Sequence, residues 1–219
     1  RHDGAVRICV VYDCLFPWTV GGAERWYRNL AERLAAEGHE VTYLTLTQWD
    51  DEDAPRLPGV DVVAVGPRLD LYAGDRRKIG PPLRFGLGVG LHLLRHGRRY
   101  DVVHAASFPY FSLLAAAATR PLGRFRISCD WHEVWSDQYW AEYLGGPKGA
   151  IARRVQQACV RVPQEAFCFA ELTADRLRGR RHGAFVRPLA ICGGIGVSGS
   201  VPRPVGSVAW GDVPYRSRY

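Results

Sequence analysis

Apolar positions along the chain follow two rhythms in turn, one suited to buried strands and one to helices. Arg7-Ile8-Cys9-Val10-Val11-Tyr12-Asp13 is a short apolar run of the kind a parallel sheet buries on both faces. After Gly21-Gly22, residues Ala23, Trp26 or Tyr27, Leu30 and Leu34 recur at helical spacing, with Glu24, Arg25, Arg28, Glu32 and Arg33 on the other face and Gly38 as the closing residue. Residues 41–46 are β-branched and apolar and predict a second strand; residues 50–58 read as a loop and 61–65 as a third strand. A charged connection over 66–80 leads to a helix over 83–99, weakened by Gly86, Gly88 and Gly90 at about 1 kcal/mol each relative to Ala. Strand, helix and strand follow over 101–105, 110–119 and 124–129. Residues 147–160 are helical, 165–170 make a sixth strand and 172–180 a last helix.

Alternating strands and helices with short connections imply an α/β fold, a doubly wound parallel sheet with helices on both faces. Ligands of such sheets bind at the carboxyl ends of the strands. The pattern breaks at Gly183, after which seven glycines and four prolines in 37 residues interrupt every element and neither Lys nor Glu occurs. The expected organisation is a Rossmann-like domain over 1–182 and an irregular tail over 183–219, the tail out of frame with an ancestral gene. A start at Arg1 and the absence of Met add the expectation of an incomplete product.

Chemistry is expected first at the turn over residues 17–25, where Gly21 and Gly22 permit positive φ and close backbone approach at a helix N-terminus, a place that favours anions. The turn cradles a phosphate or is a plain tight turn; it carries neither the dinucleotide G-x-G-x-x-G nor a P-loop lysine, which disfavours a dehydrogenase. His132 follows the fifth strand, and its imidazole either hydrogen-bonds a ligand hydroxyl or packs beside Trp131 and Trp135. His104 ends the fourth strand, and Glu133 offers one carboxylate without a partner. Trp131, Trp135, Tyr139, Trp140 and Tyr143 suit either the C–H face of a sugar or a core. Asp51-Glu52-Asp53 formally matches a D-x-D cation motif but reads as a solvated loop, and Cys129 with His132 offers only half a zinc site.

Taken together, Gly21-Gly22-Ala23-Glu24-Arg25, Leu30-Ala31-Glu32-Arg33-Leu34, Gly38-His39-Glu40-Val41, Asp101-Val102-Val103-His104, Asp130-Trp131-His132-Glu133-Val134-Trp135 and the pair Ala166-Phe167-Cys168-Phe169-Ala170 with Ala174-Asp175-Arg176-Leu177 resemble glycosyltransferase family 4 over about residues 6–182. The resemblance implies the N-terminal, acceptor-side half of a GT-B architecture. It also implies transfer of a sugar from a nucleotide-diphosphate sugar to a carbohydrate or lipid-linked acceptor, with retention and with neither cofactor nor metal. By the same resemblance Gly21 and Gly22 approach the donor diphosphate and His132 faces the transferred sugar, with Glu24, His104 and Glu133 as acceptor contacts. The family's second, donor-binding domain has no counterpart here: no basic pair with a later Glu-x7-Glu helix occurs, and Arg187 and the tail arginines do not supply one. Such a half-enzyme would be inactive alone. The alternative is a stand-alone module that binds a nucleotide or sugar phosphate without catalysis.

Composition narrows these readings. A chain that is 47% hydrophobic and 23% charged buries a normal core, which excludes disorder as the whole answer. The longest uncharged apolar run, over 108–119, is about half of the roughly 20 residues a membrane-spanning helix needs, and Asp13 interrupts any signal-peptide layout. Six cysteines without a C-x-x-C pair point to buried free thiols and, with the preceding points, to a cytoplasmic protein. The net charge of +7 is spread over separate segments, Arg76-Arg77-Lys78 and the arginines of 95–99 among them. That scatter argues against nucleic acid and leaves peripheral contact with the inner face of a membrane as a reading of residues 76–99.

Overall fold

The first strand, β1 (Arg7–Val11), has no polar face and lies in the middle of a seven-stranded parallel sheet. The computed structural model describes residues 4–73, 76–180 and 186–188. In chain order the other elements are α1 (Gly22–Ala36), β2 (Glu40–Thr45), a 3-10 turn (Asp51–Asp53), β3 (Val60–Ala64), β4 (Tyr72–Ala73), β5 (Arg76–Arg77) and α2 (Gly80–His96). They continue with a second 3-10 turn (Gly97–Arg99), β6 (Val102–Ala106), α3 (Tyr110–Gly123), β7 (Arg126–Trp131), α4 (Asp137–Leu144), α5 (Gly146–Arg161), β8 (Glu165–Cys168), α6 (Glu171–Arg180) and β9 (Val186–Pro188). The sheet order is β3-β2-β1-β6-β7-β8-β9, while β4 and β5 form a separate antiparallel pair. The order reverses between β1 and β6, so the switch point where doubly wound folds bind ligands lies over Val10 and His104, which are register partners.

Successive side chains of a strand point to opposite faces, and β1 shows the result. Cys9 and Val11 pack with Phe85, Val89 and Leu93 of α2, Leu113 and Ala116 of α3, and Cys159 and Val160 of α5. Ile8 and Val10 pack with Tyr27 and Ala31 of α1 and with Tyr43 of β2. Five cysteines, Cys9, Cys14, Cys129, Cys159 and Cys168, are buried thiols. Cys192 and the tail arginines Arg203, Arg216 and Arg218 lie outside the described residues.

The structure departs from the expected pattern in four places. Helix α2 begins earlier, because Pro81 and Pro82 sit in its first turn, where no backbone N–H is needed. Its glycines are contact points: a Cβ on Gly86 would lie 2.6 Å from Phe111 Cβ, and one on Gly88 would overlap the Val65 carbonyl. Residues 137–144 form a helix of their own, capped by Ser136 Oγ accepting from the Tyr139 N–H. Finally β9 pairs in parallel with β8, so the sheet continues past the boundary expected at residue 182; three residues suffice for a ladder that Gly and Pro around them do not prevent.

An ion pair ties the base of the sheet. Arg7 reaches Asp101 through Nη2 at 2.6 Å and Nε at 3.1 Å, while the Arg7 backbone N–H donates to the same carboxylate at 2.9 Å. These bonds hold the Asp101 carboxyl down at about 2. Because the folded value lies below the unfolded one, the contribution is complete above the ordinary 3.8 and is lost as pH falls toward 2. Both side chains are more than a third exposed, so solvent screening limits the effect to about 1 kcal/mol. Asp101→Asn is expected to lower the urea midpoint at pH 6 and to leave it unchanged below pH 2, as read by denaturation at the two pH values.

Candidate functional site

Four carboxyl ends of neighbouring strands, those of β1, β6, β7 and β8, converge with the first turns of α1. Asp130 is at their centre. It occupies β7 one residue before the strand ends and is 1% exposed. Its Oδ2 accepts from Trp26 Nε1 at 2.9 Å and lies 3.3 Å from His104 Nε2. The other ring nitrogen of His104, Nδ1, is 2.9 Å from Ser128 Oγ. Burial pushes the Asp130 carboxyl up, but His104, His132 and the Trp26 N–H together outweigh it and hold the group below its ordinary value. A carboxylate is therefore fixed beneath the site at neutral pH.

His132 stands just beyond the end of β7. Its ring stacks on Phe169 at 4.4 Å and 17°, and its Nε2 is 3.4 Å from the Tyr27 hydroxyl. Phe169 is in turn capped edge-on by Trp26 at 4.7 Å. Thr173 Oγ1 of α6 donates to the His132 carbonyl at 3.3 Å, which fixes the loop from below. Burial lowers the imidazole pKa, and the negative charges of Asp130 and Glu133 only partly offset that. The ring is thus neutral at pH 7, one nitrogen accepting and the other donating, as hydrogen bonding to a sugar hydroxyl requires. Tyr27 is fully buried, and burial with the Asp130 charge keeps its phenol protonated as a donor.

The glycine turn is built differently from the expectation. Gly21 caps α1 in an extended conformation, φ −167°, and neither Gly21 nor Gly22 has positive φ. What Gly21 provides is room: a Cβ there would collide with the Glu24 carboxylate, which is folded back against the helix N-terminus. Glu24 is 8% exposed and on the inner side of α1, not on the solvent face its charge suggested. An acidic side chain in the first turn complements the positive end of the helix, the end at which the sequence led to the expectation of a phosphate.

His104 also departs from its expected place. It sits inside β6, between Val10 and Ser128, and is held in the interior by Ser128 and Asp130. Its route to the site runs through Asp130. Glu133 is exposed and accepts from the Trp135 indole N–H. Of the aromatic cluster, Trp131 and Trp140 belong to the core, while Trp135, Tyr139 and Tyr143 remain at least partly open to solvent. Residues 51–53 form the first 3-10 turn, in which Asp53 accepts from Trp18 Nε1 at 3.0 Å. A groove of about 490 Å³ lined by Asp137, Arg153, Arg154, Gln157, Ala158, Arg161 and Arg180 lies among α4, α5 and α6, with no lining from the strand ends.

Asp130, Trp26, Tyr27 and Phe169 carry the site and escaped the sequence reading. A signal for Asp130 existed: in Ser128-Cys129-Asp130-Trp131-His132, period-two alternation places Ser128, Asp130 and His132 on one face.

The model of Glycosyltransferase Family 4 matches residues 20–188. Among solved structures, a sucrose-phosphate synthase from Thermosynechococcus elongatus is similar at TM-score 0.58 and 17% identity, over 84% of this chain and 47% of that one. HepE from Anabaena, solved in complex with UDP and glucose, is similar at TM-score 0.54 and 11% identity, over 84% of this chain and 44% of its own. The chain thus spans less than half the length of these structures, and at such identities the likeness shows the fold. No curated protein matches the chain.

Proposed function

The chain belongs to glycosyltransferase family 4, and from that premise we propose that it is the acceptor-side half of an enzyme that transfers a sugar, with retention, from a nucleotide-diphosphate sugar to a carbohydrate or lipid-linked acceptor. The single observation that carries this is the His132 imidazole, stacked on Phe169 and 3.4 Å from the Tyr27 hydroxyl, beyond the end of the strand that carries the buried Asp130. There His132 contacts the transferred sugar through a hydroxyl, and Tyr27 and Phe169 fix its ring. Asp130 supplies fixed negative potential where positive charge develops in glycosyl transfer, a preorganised form of stabilisation. The first turn of α1, at Gly21 and Gly22, approaches the donor diphosphate once the Glu24 side chain has swung off the helix end.

Differential stabilisation of the transition state needs groups from both walls of a cleft, so transfer requires a donor-binding domain facing these strand ends. The test is an assay of radiolabelled sugar transfer by the chain alone and by the chain joined to a family 4 donor domain. Turnover is expected only in the joined form, with His132→Ala lowering it on the order of a hundredfold. Micromolar nucleotide binding by the chain alone, with no transfer in the joined form, would instead establish a binding module. In the same material, Glu24→Gln is expected to tighten UDP binding about threefold by removing the competing anion, as read by calorimetry.

Membrane contact draws its support from α2. Leu83, Leu87, Leu91 and Leu94 are 42–65% exposed, so the helix is apolar on its outer as well as its inner face. Arg84 and Arg95 flank the stripe and no acidic residue occurs in the helix. Such a face suits an anionic bilayer at the cytoplasmic side, where a lipid-linked acceptor resides. No helix among the described residues is long and apolar enough to cross one. Cosedimentation with phosphatidylglycerol vesicles, absent with phosphatidylcholine and lost in Leu87→Glu, is the expected result.

A further inference from the structure

Four aromatic rings form a ledge, with Phe108 on the loop after β6, Trp135 on the loop after β7 three residues beyond His132, and Tyr139 and Tyr143 on α4. Trp135 is its centre: Phe108 lies 6.3 Å away at 29°, Tyr139 4.6 Å and Tyr143 5.6 Å away, and the two tyrosines stack at 5.8 Å and 14°. Phe108 and Tyr139 are 36% and 37% exposed. Behind them the buried Trp140 packs on Trp135 at 4.6 Å and Tyr110 packs edge-on to Phe108 at 5.5 Å.

The ledge is anchored from within. Gln156 of α5, fully buried, accepts from the Trp135 backbone N–H and donates to its carbonyl, both at 3.0 Å, and also accepts from the Tyr110 hydroxyl at 3.0 Å. One core amide thus locks the backbone that carries Trp135 and the ring behind Phe108. Open aromatic rings held this firmly lose little entropy on binding, which is the condition for a preformed ligand platform.

From this arrangement we infer that Phe108, Trp135, Tyr139 and Tyr143, with Glu133 at their rim, form a subsite that stacks a neutral pyranose of the acceptor. A pyranose presents a C–H face that ring faces bury and a belt of hydroxyls that carboxylates and phenols bind. Glu133, already on the Trp135 indole N–H, retains acceptor capacity for such hydroxyls. Glu133 places a carboxylate against the central ring, while Arg176 is engaged with the Val134 carbonyl at 3.2 Å and Arg153 and Arg180 with Asp137, which sets a neutral saccharide ahead of a nucleotide as the occupant. The inference rests on the transferase reading, since it specifies the acceptor class at that site: a saccharide of at least two units, one on the ledge and the next reaching His132.

The test is a titration of the full chain with cellobiose, maltose, lactose and chitobiose at millimolar concentrations, and separately with UDP, followed by the amide and indole N–H resonances. One or more disaccharides are expected to shift the Trp135 indole signal, and Tyr139→Ala or Phe108→Ala to weaken that binding about fivefold with an unchanged thermal midpoint. Silence of the indole toward all four sugars would overturn the subsite, as would a larger shift with UDP. If UDP moves Gly21 and Gly22 while the ledge stays silent, the subsite fails and the transferase reading stands. Sugar binding on the ledge with no nucleotide response in the joined protein would uphold the subsite and remove that reading.

Discussion

Asp130→Ala is expected to destabilise the protein by about 4 kcal/mol, because breaking a buried polar cluster costs more than the cluster adds. The substitution leaves the Trp26 indole N–H without its carboxylate at 2.9 Å and removes the oxygen 3.3 Å from His104 Nε2. The indole N–H is then held in the interior without its acceptor, beside the cavity the carboxylate leaves. Asp130→Asn, which keeps the shape and one acceptor oxygen, is expected to cost about half as much. Urea denaturation at pH 7 reads both. The sign of the pH dependence follows from the carboxyl being held below its ordinary 3.8: its stabilisation is complete above that value and lost as pH falls through the folded one. Asp130→Asn also has a signature at His132. The Asp130 charge raises the imidazole pKa against burial, so its removal shifts the imidazole midpoint further below 6.5, as read by NMR of the ring protons. A midpoint that does not move would mean the carboxylate exerts no field on the ring.

Gly88→Ala is expected to cost about 3 kcal/mol, although Ala is the better helix former by about 1 kcal/mol. The added Cβ would overlap the Val65 carbonyl oxygen and lie 2.9 Å from its carbon, and neither atom can rotate away because both belong to the backbone at the end of β3. Gly90 provides the control in the same helix. There a Cβ meets only Ala115 Cβ at 3.6 Å, an ordinary contact, so Gly90→Ala is expected to stabilise by about 1 kcal/mol. Opposite signs two residues apart, measured by thermal unfolding, would show that close packing of α2 and not helix propensity governs this face. Equal signs would contradict it.

Those glycines show where the sequence ceases to be legible. Hydrophobic rhythm gave the order of strands and helices, because burial on both faces of β1 or one face of α1 leaves a periodic trace in a single segment. A glycine that lets α2 approach Val65 leaves no such trace, since its reason lies some twenty residues away in the chain. The same holds for Glu24, whose charge suggested solvent but whose carboxylate is folded against Gly21. The position of His132 just past the end of a strand was legible, because the strand before it is an apolar run. The aromatic cluster was legible only as composition, since the separation of Trp131 and Trp140 from the open Trp135 and Tyr139 depends on how α4 packs. Asp130 was missed because an acid inside an apolar run reads as the strand's end, whereas the strand carries it to the middle of a polar cluster with Trp26 and His104.

In the proposed function the carboxyl ends of β1, β6, β7 and β8 form one wall of a nucleotide-sugar site. Mapping amide and side-chain N–H resonances of the chain during a titration with UDP tests it most directly. Weak, millimolar binding is expected, shifting the amides of Gly21, Gly22 and Ala23 together with the ring of His132. Shifts confined to the outer groove of Arg153, Arg154, Arg161 and Arg180, with Gly21, Gly22 and His132 unmoved, would contradict it.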